Sequence, residues 1–222
     1  YIWSLEPENA GEITSNELEC SVDFYEEFTG NAVISVFGEN NCGNGSSYNF
    51  DLLILPEPTV TLGPNDTICE NQVYEIEGQA GNYSSLLWSS SGDGYFDEPN
   101  QLLTNYIPGE NDILNEAVIL RLYANPLSPC AQIAKDSLLL SFSYLINEVS
   151  IPTGPTEVDI SYTPTSNYYC DSENANQFDW YLTPPIAGMI EAQDEQASVE
   201  WNPSFSGEVK LSVMASNNCN EI

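Results

Sequence analysis

Six cysteines, at positions 20, 42, 69, 130, 170 and 219, are the residues here whose type and spacing most directly invite chemistry. None stands in C-x-x-C spacing and the chain has no histidine, so a zinc site is disfavoured. The same lack of histidine rules out Ser–His–Asp and Cys–His catalysis. What remains for the thiols is cross-linking. Cys69, Trp88 and Cys130 follow one another, as do Cys170, Trp180 and Cys219. A Cys…Trp…Cys order across a two-sheet domain suits a cystine that ties the sheets beside a core tryptophan. The expected pairs are therefore Cys69–Cys130 and Cys170–Cys219. Each would close a loop of roughly 50–60 residues, for about 4 kcal/mol in the chain-entropy model. Cys42 has two candidate partners, Cys20 or a cysteine upstream of Tyr1. Trp3, Trp88 and Trp180 are the expected core tryptophans.

Carboxylates are the other reactive stock. There are 34 Asp and Glu against three basic residues, Arg121, Lys135 and Lys210, for a net charge of −31. Such a field repels nucleic acid phosphates and anionic lipid, so neither is an expected partner. It favours loosely held cations such as Ca²⁺. The best loop for one is "SGDGYFDEPN" (91–100), where Asp93, Asp97, Glu98 and Asn100 offer hard oxygens and Gly92 and Gly94 permit a tight turn. Adjacent acids on a strand face opposite ways, which spoils a glycosidase pair, so no enzyme is expected. Tyr168 and Tyr169 raise the option of a glycan ligand. Asn44, Asn65 and Asn82 head N-x-S/T sequons, and "DTI" (66–68) and "DSL" (136–138) are short O-glycosylation-like matches.

The elements that must carry these residues are strands. Short alternating runs rich in Val, Ile, Tyr and Phe are separated by Gly, Pro, Asn, Asp and Ser, and helix signals are nearly absent. In "NAVISVF" (31–37) Ala32, Ile34 and Val36 should face inward. In "AVILRLYA" (117–124) Arg121 marks the outer parity, leaving Val118, Leu120, Leu122 and Ala124 inside. The fold class expected is all-β, tandem antiparallel β-sandwiches. No stretch approaches 18 apolar residues, so no membrane insertion is expected.

The chain also repeats itself. Laying residue 1 on residue 178 aligns the first 45 residues with the last 45 without a gap, and 15 positions are identical. Trp3 meets Trp180, Gly11 meets Gly188, and Asn40-Asn41-Cys42 meets Asn217-Asn218-Cys219. An offset of 177 residues is too long for one solenoid unit and suits two domains per period. "LPEPTV" (55–60) and "SYLINEVSIPTGP" (143–155) mark the expected boundaries. They define a truncated first unit at 1–57, a complete middle unit at 58–145, and a third at 146–222 lacking its last strand. Tyr1 starts inside a strand-like pattern, so the sequence reads as a window on a longer chain.

The middle unit's "LGPNDTICENQVYEIEGQAGNYSSLLWSSSGDGYF…YIPGENDI…VILRLYA…C…DSLLL" resembles the PKD-like repeats of giant Bacteroidota cell-surface proteins. The outer units' "W-x-L-x-P-x-x-A-G-x-I…V-x-[WF]-x-x-x-F-x-G…N-x-C" is similar to the companion repeat that alternates with them. The resemblance implies Ig/PKD-like sandwiches, exported by type IX secretion, that build stalks of SprB-type gliding adhesins or related surface filaments. The partners it implies are neighbouring repeats of one long chain, with a homo-oligomeric filament or an adhesive glycan- or protein-binding module as alternatives.

Overall fold

The structure is a computed structural model and describes residues 1–222. Its alternating runs become strands because β-branched and aromatic side chains fit a pleated surface with one face covered. Four strands set out the first stretch: β1 (Ile2–Glu6), β2 (Gly11–Ser15), β3 (Cys20–Phe24) and β4 (Gly30–Phe37). After them come the short hairpin β5 (Glu39–Asn40) and β6 (Gly43–Asn44), and then β7 (Tyr48–Ile54). One antiparallel sheet runs β1-β4-β7, and β2 pairs with β3. Leu5, Ala10 and Ala32 are buried between them, with Ile34, Phe28, Leu52 and Ile54 packed around.

The middle stretch holds β8 (Thr59–Thr61), β9 (Asp66–Cys69), β10 (Tyr74–Glu77), β11 (Gln79–Gly81), β12 (Tyr83–Ser90), β13 (Tyr95–Phe96) and β14 (Leu103–Ile107). A single helical turn, α1 (Glu110–Leu114), precedes β15 (Ala117–Pro126) and β16 (Ala134–Ser143). A four-stranded sheet of order β12-β15-β16-β9 faces a three-stranded one of order β10-β14-β13. Between them lies the largest core, 11 buried residues that include Trp88, Tyr106, Val118, Leu120, Leu122 and Ala124. The inward parity expected for β15 holds, and Leu120, Leu122 and Ala124 are wholly buried.

The last stretch contains β17 (Thr165–Tyr169), β18 (Gln177–Thr183), β19 (Gly188–Gln193), β20 (Gln196–Trp201) and β21 (Lys210–Ser216). One sheet runs β17-β20-β19 and the other β18-β21. Cys170, Trp180 and Ala197 centre its core.

The 177-residue repeat is a repeat of pairing register. Trp3 opposes Val36 and Leu5 opposes Ile34, just as Trp180 opposes Val213 and Leu182 opposes Leu211. Ile13 opposes Val22, and Ile190 opposes Val199. The repeated glycine follows from close approach. A Cβ on Gly188 would sit 2.5 Å from the Glu200 carbonyl oxygen, and one on Gly11 would collide with the Asp23 carbonyl. Both glycines have extended backbone, so clearance, and not conformational freedom, excludes a side chain here.

The copies differ at their sheet edges. In the first stretch β4 is paired on both sides, by β1 and β7, whereas its counterpart β21 pairs only with β18. Conversely, β20 carries β17 on the edge that β3 leaves open.

Candidate functional site

The cysteines pair differently from the sequence expectation. The cystine is Cys69–Cys219, with Cα atoms 5.6 Å apart and a sequence separation of 150. Cys20, Cys42, Cys130 and Cys170 are free thiols. Cys69–Cys130 fails on strand geometry. Cys69 lies beside Ser143 at one end of β16, while Cys130 precedes Ala134 at the other. Ten residues of extended strand put about 30 Å between those ends, far beyond the reach of a cystine. Cys170–Cys219 fails because Cys170 is buried in its own core, beneath Trp180 and Ala197, while Cys219 sits on a turn beyond β21. Cys20–Cys42 is not formed either: Cys20 opens β3 in one sheet, and Cys42 lies on the β5–β6 turn beyond the other.

That cystine belongs to a larger clasp built around the connecting residues Tyr144, Leu145 and Ile146. Asn217 donates from its side-chain amide to the Tyr144 carbonyl at 3.0 Å. Asn220 closes a two-bond ring with Ile146, accepting its N–H at 2.8 Å and donating to its carbonyl at 2.9 Å. Asn174 donates to the Leu145 carbonyl. From the other side, Glu70 accepts the Leu145 N–H at 2.9 Å, and the Tyr144 hydroxyl donates to the Ile113 carbonyl at 2.9 Å. Ile146 is only 2% exposed. Backbone polar groups that would otherwise bond water are thus satisfied by side chains that come from both before and after this stretch in the chain. The turn is itself preorganised, because Asn217 Oδ1 accepts the N–H groups of Cys219 and Asn220. The sequence signal for this site was the identical Asn-Asn-Cys of the two copies, which lies past the strand where no core demands it.

The four oxygen-bearing residues of 91–100 do not converge on a cation. Asp93 turns its carboxylate to the N–H groups of Asn111 and Asp112 in α1 and to the Asn111 side-chain amide. Asp97 accepts from the Thr104 hydroxyl at 2.9 Å and from the Asn105 backbone and side chain at 2.9 and 2.8 Å. Glu98 and Asn100 are exposed on the loop. No three His, Cys, Asp or Glu side chains come together as a metal cage. Each aspartate already has protein donors, so a cation would have to displace them.

The residue that organises this loop is Asp112, which sequence reading passed over. It is 1% exposed. Its carboxylate accepts the Tyr106 hydroxyl at 2.5 Å and the N–H groups of Gly94 and Gly109 at 3.0 Å. Gly92 is glycine because a Cβ there would overlap the Asp112 carboxylate. The charges respond accordingly. Bonds from the Asn105 side chain, the Asn105 backbone and Thr104 lower Asp97 to about 2. Burial opposes ionisation of Asp93, but the Asn111 bonds prevail and hold it below the usual carboxylate range. Burial first, then the Asp112 bond, pushes the Tyr106 phenol up. Burial, then Glu195 and Asp171, pushes the Cys170 thiol up, which makes it a poor nucleophile.

The tryptophans differ in their polar ends. Trp88 donates to the Gln101 carbonyl at 2.8 Å and Trp180 to the Asp194 carbonyl at 3.2 Å, while the buried Trp3 Nε1 has no partner.

No family model matches the chain, and no curated protein does. Solved structures do. The N-terminal eight Ig domains of Down Syndrome Cell Adhesion Molecule align over 99% of this chain at 9% identity, with a TM-score of 0.50. The chain has an immunoglobulin-like β-sandwich fold. Sidekick-1 immunoglobulin domains 1–4 align over 99% of it at 13% identity (TM-score 0.45). Cadherin domains 1–4 of protocadherin gamma B7 align over 98% at 8% identity (TM-score 0.46). The chain spans 36% of the length of the first of these and 64% of the other two. No helix is long and apolar enough to cross a membrane.

Proposed function

We propose that this chain is a load-bearing repeat of a large extracellular adhesive protein, a stalk of sandwiches in series. The divisions are 1–57, 58–145 and 146–222. The observation that carries this reading is the Cys69–Cys219 cystine, which joins neighbouring sandwiches where the sequence reading expected a staple within one. A covalent clasp at a junction does little for a lone domain's stability. It fixes the angle between domains and resists their separation under tension. The 177-residue register repeat and the fold shared with a cell adhesion molecule support the same reading. The finer setting is a Bacteroidota-type surface filament exported by type IX secretion for gliding, attachment or prey capture. It rests on the motif resemblance alone. Electron microscopy of the full chain should show a string of lobes, and a non-reducing peptide map should contain Cys69 joined to Cys219. A compact globule, or Cys69 joined to Cys130, overturns the proposal.

A second reading, a strand-exchanged homopolymer, is favoured by the open edge of β21. Beside it lies a cavity of about 1020 Å³ lined by Trp201, Phe205, Val209 and Leu211. Their counterparts Phe24, Phe28, Ala32 and Ile34 pack in the cluster that contains Leu52 and Ile54 of β7. The seat therefore matches a β7-like strand added to the β21 edge. A peptide of residues 46–57 should bind the chain and protect β21 amides from exchange. A peptide that leaves β21 exchange unchanged retires this reading.

A further inference from the structure

The turn that carries Cys42 is the structural twin of the turn that carries Cys219. Glu39 pairs with Asn44 across the first, as Ser216 bridges to Glu221 across the second. Asn40 Oδ1 accepts the Cys42 N–H at 2.8 Å, as Asn217 Oδ1 accepts the Cys219 N–H at 2.7 Å. The second turn is occupied: its cysteine is bonded to Cys69 and its Asn217 holds the Tyr144 carbonyl. The first turn presents the same Asn-Asn-Cys with Cys42 exposed and free. Of the three residues that grip in the second turn, one is changed in the first. Gly43 replaces Asn220, which removes the two bonds to Ile146 and leaves the cystine and the Asn40 amide as the grips.

We propose that the Cys42 turn is a second acceptor face, shaped for a sandwich of the 58–145 kind placed directly before Tyr1, and closed by a cystine from Cys42 to that sandwich's counterpart of Cys69. This rests on the serial-unit reading and adds to it a covalent link at every second junction. The step is an oxidation. Each thiol gives up a proton and the pair gives up two electrons to an added disulfide, oxidised glutathione, which leaves as two thiols.

The test lengthens the full chain at its N terminus with a second copy of its own residues 58–177, so that Gln177 precedes Tyr1 as it normally precedes Phe178. After folding in a glutathione buffer, a non-reducing digest should contain Cys42 joined to the added Cys69. Alkylation of Cys42 by iodoacetamide should fall at least tenfold relative to the original chain, and Cys42→Ser should leave the added Cys69 free. The original Cys69–Cys219 pair, read in the same digest, reports separately on the serial-unit reading. If that pair forms while Cys42 stays fully reactive, the proposal fails. It fails equally if limited proteolysis shows that the added sandwich does not fold against this face.

Discussion

At the scale of residues, the buried aspartate Asp112 matters more than the many exposed acids around it. Its carboxylate serves one hydroxyl and three backbone N–H groups, those of Asp93, Gly94 and Gly109, at once. Replacing it with Ala strands those donors in a closed site, at a cost of about 3 kcal/mol. Tyr106→Phe removes one donor and leaves the carboxylate its backbone bonds, so about 1.5 kcal/mol is expected. Thermal melts of the two variants check the order; equal losses would mean that Asp112 acts only as a spacer. Asp97 gives a separate signal. Its folded pKa of about 2 lies below its ordinary 3.8, so the stability it lends is complete above pH 4. That contribution is lost as pH falls through about 2. Carboxyl chemical shifts followed by NMR should place the Asp97 midpoint in that range, and Asp97→Asn should remove this part of the acid transition.

At the scale of elements, the repeated Ala-Gly step shows how one backbone contact can preserve a residue. Gly188→Ala pushes a methyl against the Glu200 carbonyl, and β19 must part from β20 to admit it. A loss of about 2 kcal/mol is expected, as for overpacking elsewhere. Hydrogen exchange should speed up in β19 and β20 while β12 and β15 stay protected. The strands themselves were legible from alternation, since one covered face imposes period two. Which edges stay open was not legible. Pairing joins residues distant in sequence, and neither β7 nor β17 announces its neighbour in its own residues.

At the scale of the whole molecule, the two junctions are unequal. Residues 144–146 are gripped from both sides and closed by the cystine, whereas at 55–58 Asn82 donates to the Glu57 carbonyl across two prolines. The cystine spans 150 residues and so crosses between the two cores instead of closing a loop inside either one. Here it acts mainly on docking. Cys69→Ser should therefore leave the core melts nearly unchanged while small-angle scattering broadens the distance distribution. A cooperative loss of the middle core instead would show that the bond supports the sandwich and not the junction. By itself the sequence determined the all-β class, the inward face of β15 and the 177-residue repeat, because each is written in local periodicity or direct self-comparison. Only tertiary structure decided the cystine. Spacing along the chain says nothing about which ends of which strands meet, and a bond between thiols forms only where the fold brings two cysteine Cα atoms within about 6 Å.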